Sequence, residues 1–322
     1  MPWQEQEQRA RVSLFTVSIA GDAAEHAVLS LSGLRRVTDV IEFTDSGRVD
    51  FISLAGHLNV ENITIREAPI AGCLGETVGN FLFEVRVGGK PVAHTRRISG
   101  LGVRWEVIEN RESWNLGTQK LWDKRRYEEV THDVVVDWQE KWQLYEYVKK
   151  LGEWRGPGKA FSVVEGFTCD YAEDVTIVAM ANDGTEVAKW TLYRAWPSAW
   201  QPISDLSADG REVGLSSVTW VVANLPGSPG IREEIFRPRS PQGLVSEAFL
   251  QWVASAYDVP QRKDLIINFY LPGLMPGKDE PVARLKLFNA WVSRITYQDF
   301  DASANEPLTR EIEVTFDGLL PL

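Results

Sequence analysis

The histidines, cysteines and clustered carboxylates are the residues of this chain best suited to chemistry, and none of them stands in a spacing that specifies a reaction. The sequence lacks the phosphate-binding, serine-hydrolase and zinc-protease motifs. Its four histidines, His26, His57, His94 and His132, are isolated from one another, and such residues are more often structural than catalytic. The sequence therefore predicts no catalytic residue, no metal ligand and no cofactor, and we do not expect an enzyme.

Two acidic clusters and one basic segment have the composition of ligand sites without the full pattern. The clusters Asp170–Asp174 and Asp299–Asp301 lack the alternate-oxygen spacing and central glycine of a calcium loop, which favours solvated loops. Lys120–Tyr127 mixes basic and aromatic residues, as surfaces that stack single-stranded nucleic acid do. The simpler interpretation of this segment is a loop and the start of a strand.

Tryptophan is abundant, with 13 residues, and large aromatic side chains occupy interfaces as well as cores. Trp138, Trp142 and Trp154, with Tyr145 and Tyr147, have the composition of a sugar-binding platform. Their helical spacing favours core or subunit-contact positions instead.

Net charge limits the classes of binding partner, and the cysteine content indicates the redox state of the compartment. The 34 basic and 45 acidic residues give a net charge of -11, which disfavours non-specific binding to nucleic acid. Cys73 and Cys169 form neither a zinc motif nor a disulfide framework, so a reducing compartment is expected. We find no apolar run of membrane-spanning length and no signal peptide pattern, so we expect a chain made in a host cytoplasm without a membrane partner.

The elements that must position these residues are repeated along the chain. Alternating apolar residues end at a glycine in both 15–21 and 83–89. Three matched pairs follow at one constant offset in residue number: Ser32–Leu34 with Ser99–Leu101, Val40–Glu42 with Val107–Glu109, and Ile63–Thr64 with Val130–Thr131. This shared offset predicts an internal duplication.

A second matched pair lies further along the chain at a larger offset. Ala188–Trp196 and Ala283–Trp291 are alternating strands that both end in Ala-Trp. Each follows another strand, Val175–Met180 or Leu265–Tyr270, across a glycine-containing turn. The pattern predicts one hairpin in each repeat.

A helix is expected before each hairpin, from apolar residues three and four apart around 142–149 and 245–253. The order of elements predicts two domains, one inserted into the other. The outer unit comprises residues 11–67 and 243–322, and the inserted unit comprises residues 79–225. Residues 68–78 and 226–242, which are rich in Pro and Gly, are expected to be linkers.

The inserted unit resembles the tail tube proteins of contractile bacteriophages and phage-like contractile injection systems. The resemblance is carried by the order of Ser99–Leu101, a strand ending at Val107–Glu109, the segment Tyr127–Thr131, and the Trp190 strand with its corner Trp196–Pro197. The outer unit is a more distant version, with Val292 in place of the proline and Leu285 in place of Trp190. The inserted unit also carries 112–122 where the family usually has a glycine-rich loop.

The resemblance implies a mainly β fold, in which each unit is an antiparallel β-barrel or sandwich with a flanking α-helix. It also implies six-fold rings that stack into an inner tube, because closing sheets into a ring removes their open edges. With two units per chain, a trimer with pseudo-six-fold symmetry is favoured, and a hexamer of two stacked rings is the alternative. The interface candidates are Ser32, Gly33, Leu34, Ser99, Gly100, Leu101, Glu112, Trp114, Trp122, Trp196 and Trp291.

The expected function is therefore that of a structural tail-tube-type subunit in a virion tail or injection particle. It forms a ring of the inner tube, or its initiating or terminating ring. Expected partners are further tube, sheath, baseplate and tape-measure proteins, and DNA or an effector crosses the lumen without specific binding. The alternative from tryptophan content is a monomeric carbohydrate-binding β-sandwich module, and a hydrolase assembled from distant loops has the least support.

Overall fold

The computed structural model describes residues 14–44, 51–68, 82–110, 119–136, 144–154, 172–181, 184–203, 214–222, 229–236, 244–301 and 308–322. Strands dominate these residues, which confirms the predicted mainly β class. The strands form two large antiparallel sheets and one separate hairpin.

The first large sheet joins the two ends of the chain. Its strands are β1 Leu14–Ile19, β2 His26–Ala27, β3 Ser30–Ser32, β6 Ile63–Glu67, β10 Gly102–Asn110, β11 Gln119–Tyr127, β17 Lys263–Tyr270, β18 Ala283–Tyr297, β20 Arg310–Thr315 and β21 Gly318–Pro321. They run in the order β2-β1-β17-β18-β20-β6-β3, and β21 and the hairpin β10–β11 are attached to β18.

The second large sheet is built mostly from the middle of the chain. Its strands are β7 Leu82–Val87, β8 Lys90–Val92, β9 Thr95–Ser99, β12 Val130–Val135, β13 Glu173–Met180, β14 Glu186–Gln201, β15 Leu215–Val222, β16 Ile231–Ile235 and β19 Phe300–Asp301. They run in the order β19-β9-β12-β15-β14-β13-β7-β8, and β16 is attached to β14. The separate hairpin consists of Arg36–Thr44, β4, and Phe51–Val60, β5.

The two large sheets have the same strand order. Seven strands of the first sheet, β2-β1-β17-β18-β20-β6-β3, correspond to β8-β7-β13-β14-β15-β12-β9 of the second. The predicted hairpins are confirmed as β13–β14 and β17–β18. The division into an outer and an inserted domain remains a prediction, and this correspondence is what supports it.

Two helices flank the sheets, close to the two segments where helical periodicity predicts them. The first helix, α1, is Tyr145–Trp154, and the Tyr147 hydroxyl donates to the Val87 carbonyl at 3.2 Å. The second, α2, is Glu247–Ala254 and continues into a short 3-10 turn, Ser255–Tyr257. The Ser246 hydroxyl caps α2 by accepting from the Phe249 backbone N–H at 3.1 Å.

Tryptophan fills much of the core between the sheets and helices. Trp190, Trp220, Trp252 and Trp291 are among the largest fully buried side chains. They come from β14, β15, α2 and β18. Burial of these four indole rings removes a large apolar area from water and stabilises the core. Packing in the core therefore explains why tryptophan occupies these positions.

Candidate assembly interface

The two sheets exchange strands across the predicted domain boundary, and this exchange forms a joint between them. The hairpin β10–β11 belongs to the predicted inserted unit, yet β10 pairs with β18 of the outer unit. The register places Gly102 opposite Thr296, Val103 opposite Ile295 and Arg104 opposite Arg294. The Tyr297 backbone N–H extends this ladder by donating to the Leu101 carbonyl at 3.0 Å.

Glycine permits the close approach at the start of this hairpin. A Cβ on Gly102 would lie 2.8 Å from the Ile295 carbonyl oxygen, closer than real Cβ contacts come. Gly100 has a φ of +80°, and a Cβ there would collide with the Glu129 carbonyl oxygen. Both positions therefore need a residue without a side chain.

The base of the hairpin is held by polar bonds from aromatic and basic side chains. The Trp105 indole N–H donates to the Ala256 carbonyl at 2.7 Å, in a buried position. Arg125 and Tyr127 both donate to the Tyr257 carbonyl, at 2.5 and 3.2 Å. Arg125 also lies over the rings of Trp105 and Tyr127, at 5.9 and 5.0 Å from their centroids.

A second set of contacts holds the far end of β11. Trp122 packs edge-on against Trp291, with ring centroids 5.5 Å apart, and the Arg262 guanidinium lies 5.2 Å from the Trp122 centroid. The ammonium of Lys120 is buried and donates to the Val60 carbonyl at 2.5 Å and to Asn62 Oδ1 at 3.1 Å. Burial lowers the pKa of Lys120.

The exchange runs in the opposite direction as well. Strand β19, which follows β18, pairs with β9 of the second sheet, with Phe300 opposite Ile98. The Phe300 ring lies in contact with Trp190 and Phe83, at centroid distances of 5.1 and 5.9 Å. Phe300, from the predicted outer unit, thus packs against aromatic residues of the second sheet.

A buried charge cluster ties the segment after the inserted unit to the first sheet. Strand β16 lies within the predicted linker 226–242 and pairs with β14. Its Glu233 accepts from the Arg310 Nη1 at 2.7 Å, and the Tyr297 hydroxyl donates to the same carboxylate. Arg310 also binds Glu67, which in turn contacts His26.

Paired charges offset the cost of burying this cluster. The side chains of Glu67, Arg310, Glu233 and His26 are at most 2% exposed. Burial acts to raise the pKa of Glu67, but the charge of Arg310 and the hydrogen bonds from Arg310 and His26 outweigh it and lower that pKa to about 2. Glu67 is therefore ionised at neutral pH and binds Arg310 as a carboxylate.

Local details recur at matching positions of the two sheets. A bulge interrupts the pairing of β14 with β15 at Ser198 and the pairing of β18 with β20 at Ser293. Both serine hydroxyls donate to a carbonyl of the partner strand, at 3.3 and 3.1 Å. Arg194 and Asn289 both adopt a positive φ, of +53° and +52°. Both pairs keep the offset that relates Ala188–Trp196 to Ala283–Trp291 in the sequence.

The predicted interface residues are distributed around this joint. Leu101, Trp122 and Trp291 take part in it, and Trp291 is fully buried. Ser32–Leu34 and Ser99–Gly100 form the matching turns that lead into β4 and β10, with Ser32 and Gly33 exposed. Trp196 is half-buried on β14, whereas Glu112 and Trp114 lie outside the described residues. The interface assignment itself remains a prediction.

Sequence reasoning missed several residues that hold the joint. Trp105, Arg125 and Arg310 act through partners far away in the sequence, namely Ala256, Tyr257 and Glu233, and no local spacing marks them.

The basic and aromatic segment Lys120–Tyr127 lies wholly within strand β11, so the expected strand is present but the expected loop is not. Four of its side chains, those of Lys120, Trp122, Arg125 and Tyr127, make contacts within the chain. These contacts account for the composition of the segment without a nucleic acid ligand.

The described residues also offer little that resembles a reaction centre. No group of three or more His, Cys, Asp or Glu residues within them is arranged to hold a metal ion. His132 is buried, and burial lowers its pKa to about 3, so the ring is neutral at physiological pH. Its Nε2 lies 2.9 Å from the Thr95 hydroxyl, which indicates a core position. None of the described helices is both long and apolar enough to cross a membrane.

Comparison with known proteins agrees with the resemblance stated from the sequence. Residues 79–225, just under half of the chain, match the family model of the T4-like virus tail tube protein gp19. These bounds coincide with those of the predicted inserted unit. A comparison with curated protein sequences gives no match.

Several solved structures are similar to the chain over about half of its length. The cap of the anti-feeding prophage, its tube terminating cap, is 17% identical, with 51% of this chain and 95% of that one covered and a TM-score of 0.38. The extended PVC sheath-tube complex of an extracellular contractile injection system is 16% identical, with 50% and 94% covered and a TM-score of 0.38. The PVC sheath/tube terminator is 18% identical, with 47% and 92% covered and a TM-score of 0.36.

The family match covers every motif on which the resemblance was based, from Ser99–Leu101 to the Trp196–Pro197 corner. The predicted resemblance to the tail tube family is therefore confirmed: residues 79–225 of this chain match the T4-like tail tube proteins.

Proposed function

We propose that this chain is a duplicated tail-tube-type subunit that builds a ring of the inner tube, or of its initiating or terminating ring, in a phage tail or phage-like injection machine. The pairing of β10 with β18 is the observation that carries the proposal. It joins two sheets of equal strand order within one chain, which supports a side-by-side arrangement of the two units. A chain of this kind supplies two lateral positions of a ring, and three chains supply six.

The proposed mechanism is geometric rather than catalytic. Strand pairing across joints and buried aromatic residues such as Trp122 and Trp291 hold a rigid wall around a lumen. The net charge of -11 favours passage of DNA or an effector without adhesion, because like charges repel phosphate groups. Further tube, sheath, baseplate and tape-measure proteins are the proposed partners, and the particle is assembled in the host cytoplasm.

The carbohydrate-binding alternative gains no observation from the structure. The count of tryptophans and the platform of Trp138, Trp142 and Trp154 with Tyr145 and Tyr147 motivate it. Trp138 and Trp142 lie outside the described residues, and Trp190, Trp220, Trp252 and Trp291 are buried in the core. Buried indole rings offer no platform to a sugar.

The oligomeric mass of the purified protein, together with negative-stain images, tests the proposed function. We expect rings of three chains with six lobes. Rings of six chains would indicate two stacked layers instead. A monomer at high concentration whose tryptophan fluorescence responds to oligosaccharides would overturn the proposal.

A further inference from the structure

We infer that the separate hairpin β4–β5 of one chain pairs with the end of β14 in a second copy of the chain, in the register that β10 adopts on β18. The inference rests on the proposed ring-forming function and specifies the joint between chains. It follows from three observations: the form of the free hairpin, the form of the strand that would receive it, and the joint already made within the chain.

The hairpin β4–β5 repeats β10–β11 pair by pair, at the offset that relates Ser32–Leu34 to Ser99–Leu101. Arg36 is opposite Val60, as the matching Val103 is opposite Tyr127. A bulge follows Thr38 in β4 and the matching Trp105 in β10. The bond from the Glu61 N–H to the Arg35 carbonyl, at 3.0 Å, recurs as the 3.1 Å bond from Glu128 to Gly102.

The free hairpin has the edges that a further strand pairing would use. Within the described residues β4 and β5 pair with each other and form a sheet of two strands. An isolated hairpin of two strands is marginal in water and gains stability when it joins a larger sheet. The equivalent hairpin β10–β11 does this by joining β18.

The receiving strand is the end of β14, which matches the part of β18 that binds β10. Both strand ends follow the bulge at Ser198 or Ser293, and both pair on one edge with the equivalent strand, β15 or β20. Ser198, Ala199 and Gln201 are exposed. In the other sheet the equivalent Ser293 is buried and Arg294 is half-buried beside β10. The surface that β10 covers on β18 is thus accessible on β14.

Transferring the register by the two repeat offsets defines the joint between chains. Val37 comes opposite Ala199, Arg36 opposite Trp200 and Arg35 opposite Gln201. The hairpin does not close onto β14 of its own chain, because β4 and β5 pair only with each other among the described strands. The partner is therefore a second copy, related to the first as the inserted unit is related to the outer unit.

The joint between chains is weaker than the one within the chain at two points. Arg35 replaces Gly102, whose missing Cβ allows the 2.8 Å approach to a carbonyl. The ion pair between Arg294 and Glu128, at 2.7 Å, has no counterpart, because the equivalent residues are Ala199 and Glu61. Restoring this pair across the joint provides a test.

Charge substitutions at the exposed Ala199 test the proposed register. Ala199→Arg recreates the ion pair with Glu61 of the second copy, and we expect rings to form at about twofold to fivefold lower protein concentration. Ala199→Glu places two carboxylates together and should raise that concentration by a similar factor. The double variant Ala199→Glu with Glu61→Arg should restore assembly, and circular dichroism verifies that each variant is folded.

Cross-linking tests the same joint by distance. In a background with Cys73 and Cys169 changed to serine, Val37→Cys with Ala199→Cys should give covalent dimers and trimers with a short bis-maleimide. The matched control, Arg104→Cys with Arg294→Cys, should cross-link within single chains. This inference alone is overturned if rings form without the intermolecular cross-link and at the same protein concentration whatever the charge at position 199. Failure to form rings or cross-links at any concentration contradicts the proposed function as well.

Discussion

At the scale of single residues, the turn glycines before β4 and β10 make the sharpest prediction. Gly100→Ala adds a Cβ that collides with the Glu129 carbonyl oxygen at a φ of +80°. We expect a loss of about 2–4 kcal/mol in the free energy of unfolding, measured by denaturant titration. Gly21→Ala is the control, because its φ of +88° is similar and no atom lies within 4 Å of the added Cβ. Equal losses in both variants would contradict the steric explanation.

The buried cluster around Arg310 makes a second prediction. Arg310→Met leaves the carboxylates of Glu67 and Glu233 buried without their main counter-charge. We expect a loss of about 3–5 kcal/mol in the free energy of unfolding at pH 7, measured by denaturant titration. A variant as stable as the native chain would show that the cluster contributes nothing to the fold.

The pH dependence of the same cluster follows from Glu67. Its pKa is lowered from 4.5 to about 2, so the unfolded chain binds a proton there more readily than the folded chain. This contribution to stability is complete above pH 4.5 and is lost as the pH falls from 4.5 towards 2. In Glu67→Gln, the free energy of unfolding should depend less on pH between 4.5 and 2 than in the native chain. An equal dependence on pH in the two proteins would contradict the lowered pKa of Glu67.

His132 makes a separate prediction, with its own pH window. Its pKa falls from 6.5 to about 3, so below pH 6.5 the unfolded chain takes up a proton that the folded chain excludes. The chain should therefore lose stability from pH 6.5 down to 3, by up to about 1.4 kcal/mol per pH unit. His132→Ile introduces the residue found at the equivalent Ile65. The difference in free energy of unfolding between His132→Ile and the native chain should shift in favour of the variant as the pH falls below 6.5. A difference that does not change with pH would contradict a neutral, buried His132 ring.

At the scale of elements, the hairpin β10–β11 makes a prediction about the joint within the chain. Trp122→Ala removes the contact with Trp291 and the cation–π contact with Arg262. We expect the free energy of unfolding to fall by about 2–4 kcal/mol, because the variant leaves a void where the half-buried indole ring made its contacts. Leu121→Ala is the control, since the neighbouring Leu121 is exposed and should lose little. Thermal unfolding compares the two variants.

The sequence was sufficient to predict elements whose cause is local. Alternation of apolar residues predicts β13–β14 and β17–β18, and apolar spacing predicts α2 around Phe249 and Trp252, because these patterns depend on neighbours in the chain. The first repeat offset also places the turns at Gly33 and Gly100, since both positions need a positive φ.

The joint depends on contacts that no local pattern encodes. The alternation of apolar residues in Val103–Trp105 would be the same if β10 joined the second sheet, which holds its neighbours in the chain β9 and β12, instead of β18 in the first sheet. Strand β16, within the predicted linker, is held by its pairing with β14 and by Arg310, which is distant from Glu233 in the sequence. Only the folded chain shows that these segments exchange between the sheets.

At the scale of the whole molecule, hydrogen exchange should distinguish the two joints. We expect the amides of Val103 and Tyr297 to be protected in monomer and ring alike, because they belong to the joint within the chain. Peptides that contain 35–37 and 198–201 should gain protection when rings form, beyond the protection that their pairing with β5 and β15 gives in the monomer. Mass spectrometry of peptides before and after assembly measures both. Protection of 35–37 that does not change on assembly would contradict the proposed joint.

The difference between Arg35 of the hairpin β4–β5 and the equivalent Gly102 of β10 also has a mechanical consequence. In a ring of three chains, joints with a tethered hairpin and a close glycine contact alternate with joints that have neither. The tether keeps the first kind at high effective concentration, so a separated pair re-forms before its parts diffuse away. Under an outward load, such as pressure on the tube wall, we expect the proposed ring to open at three seams rather than six. Any partner with six-fold symmetry then meets a surface that repeats three times per turn.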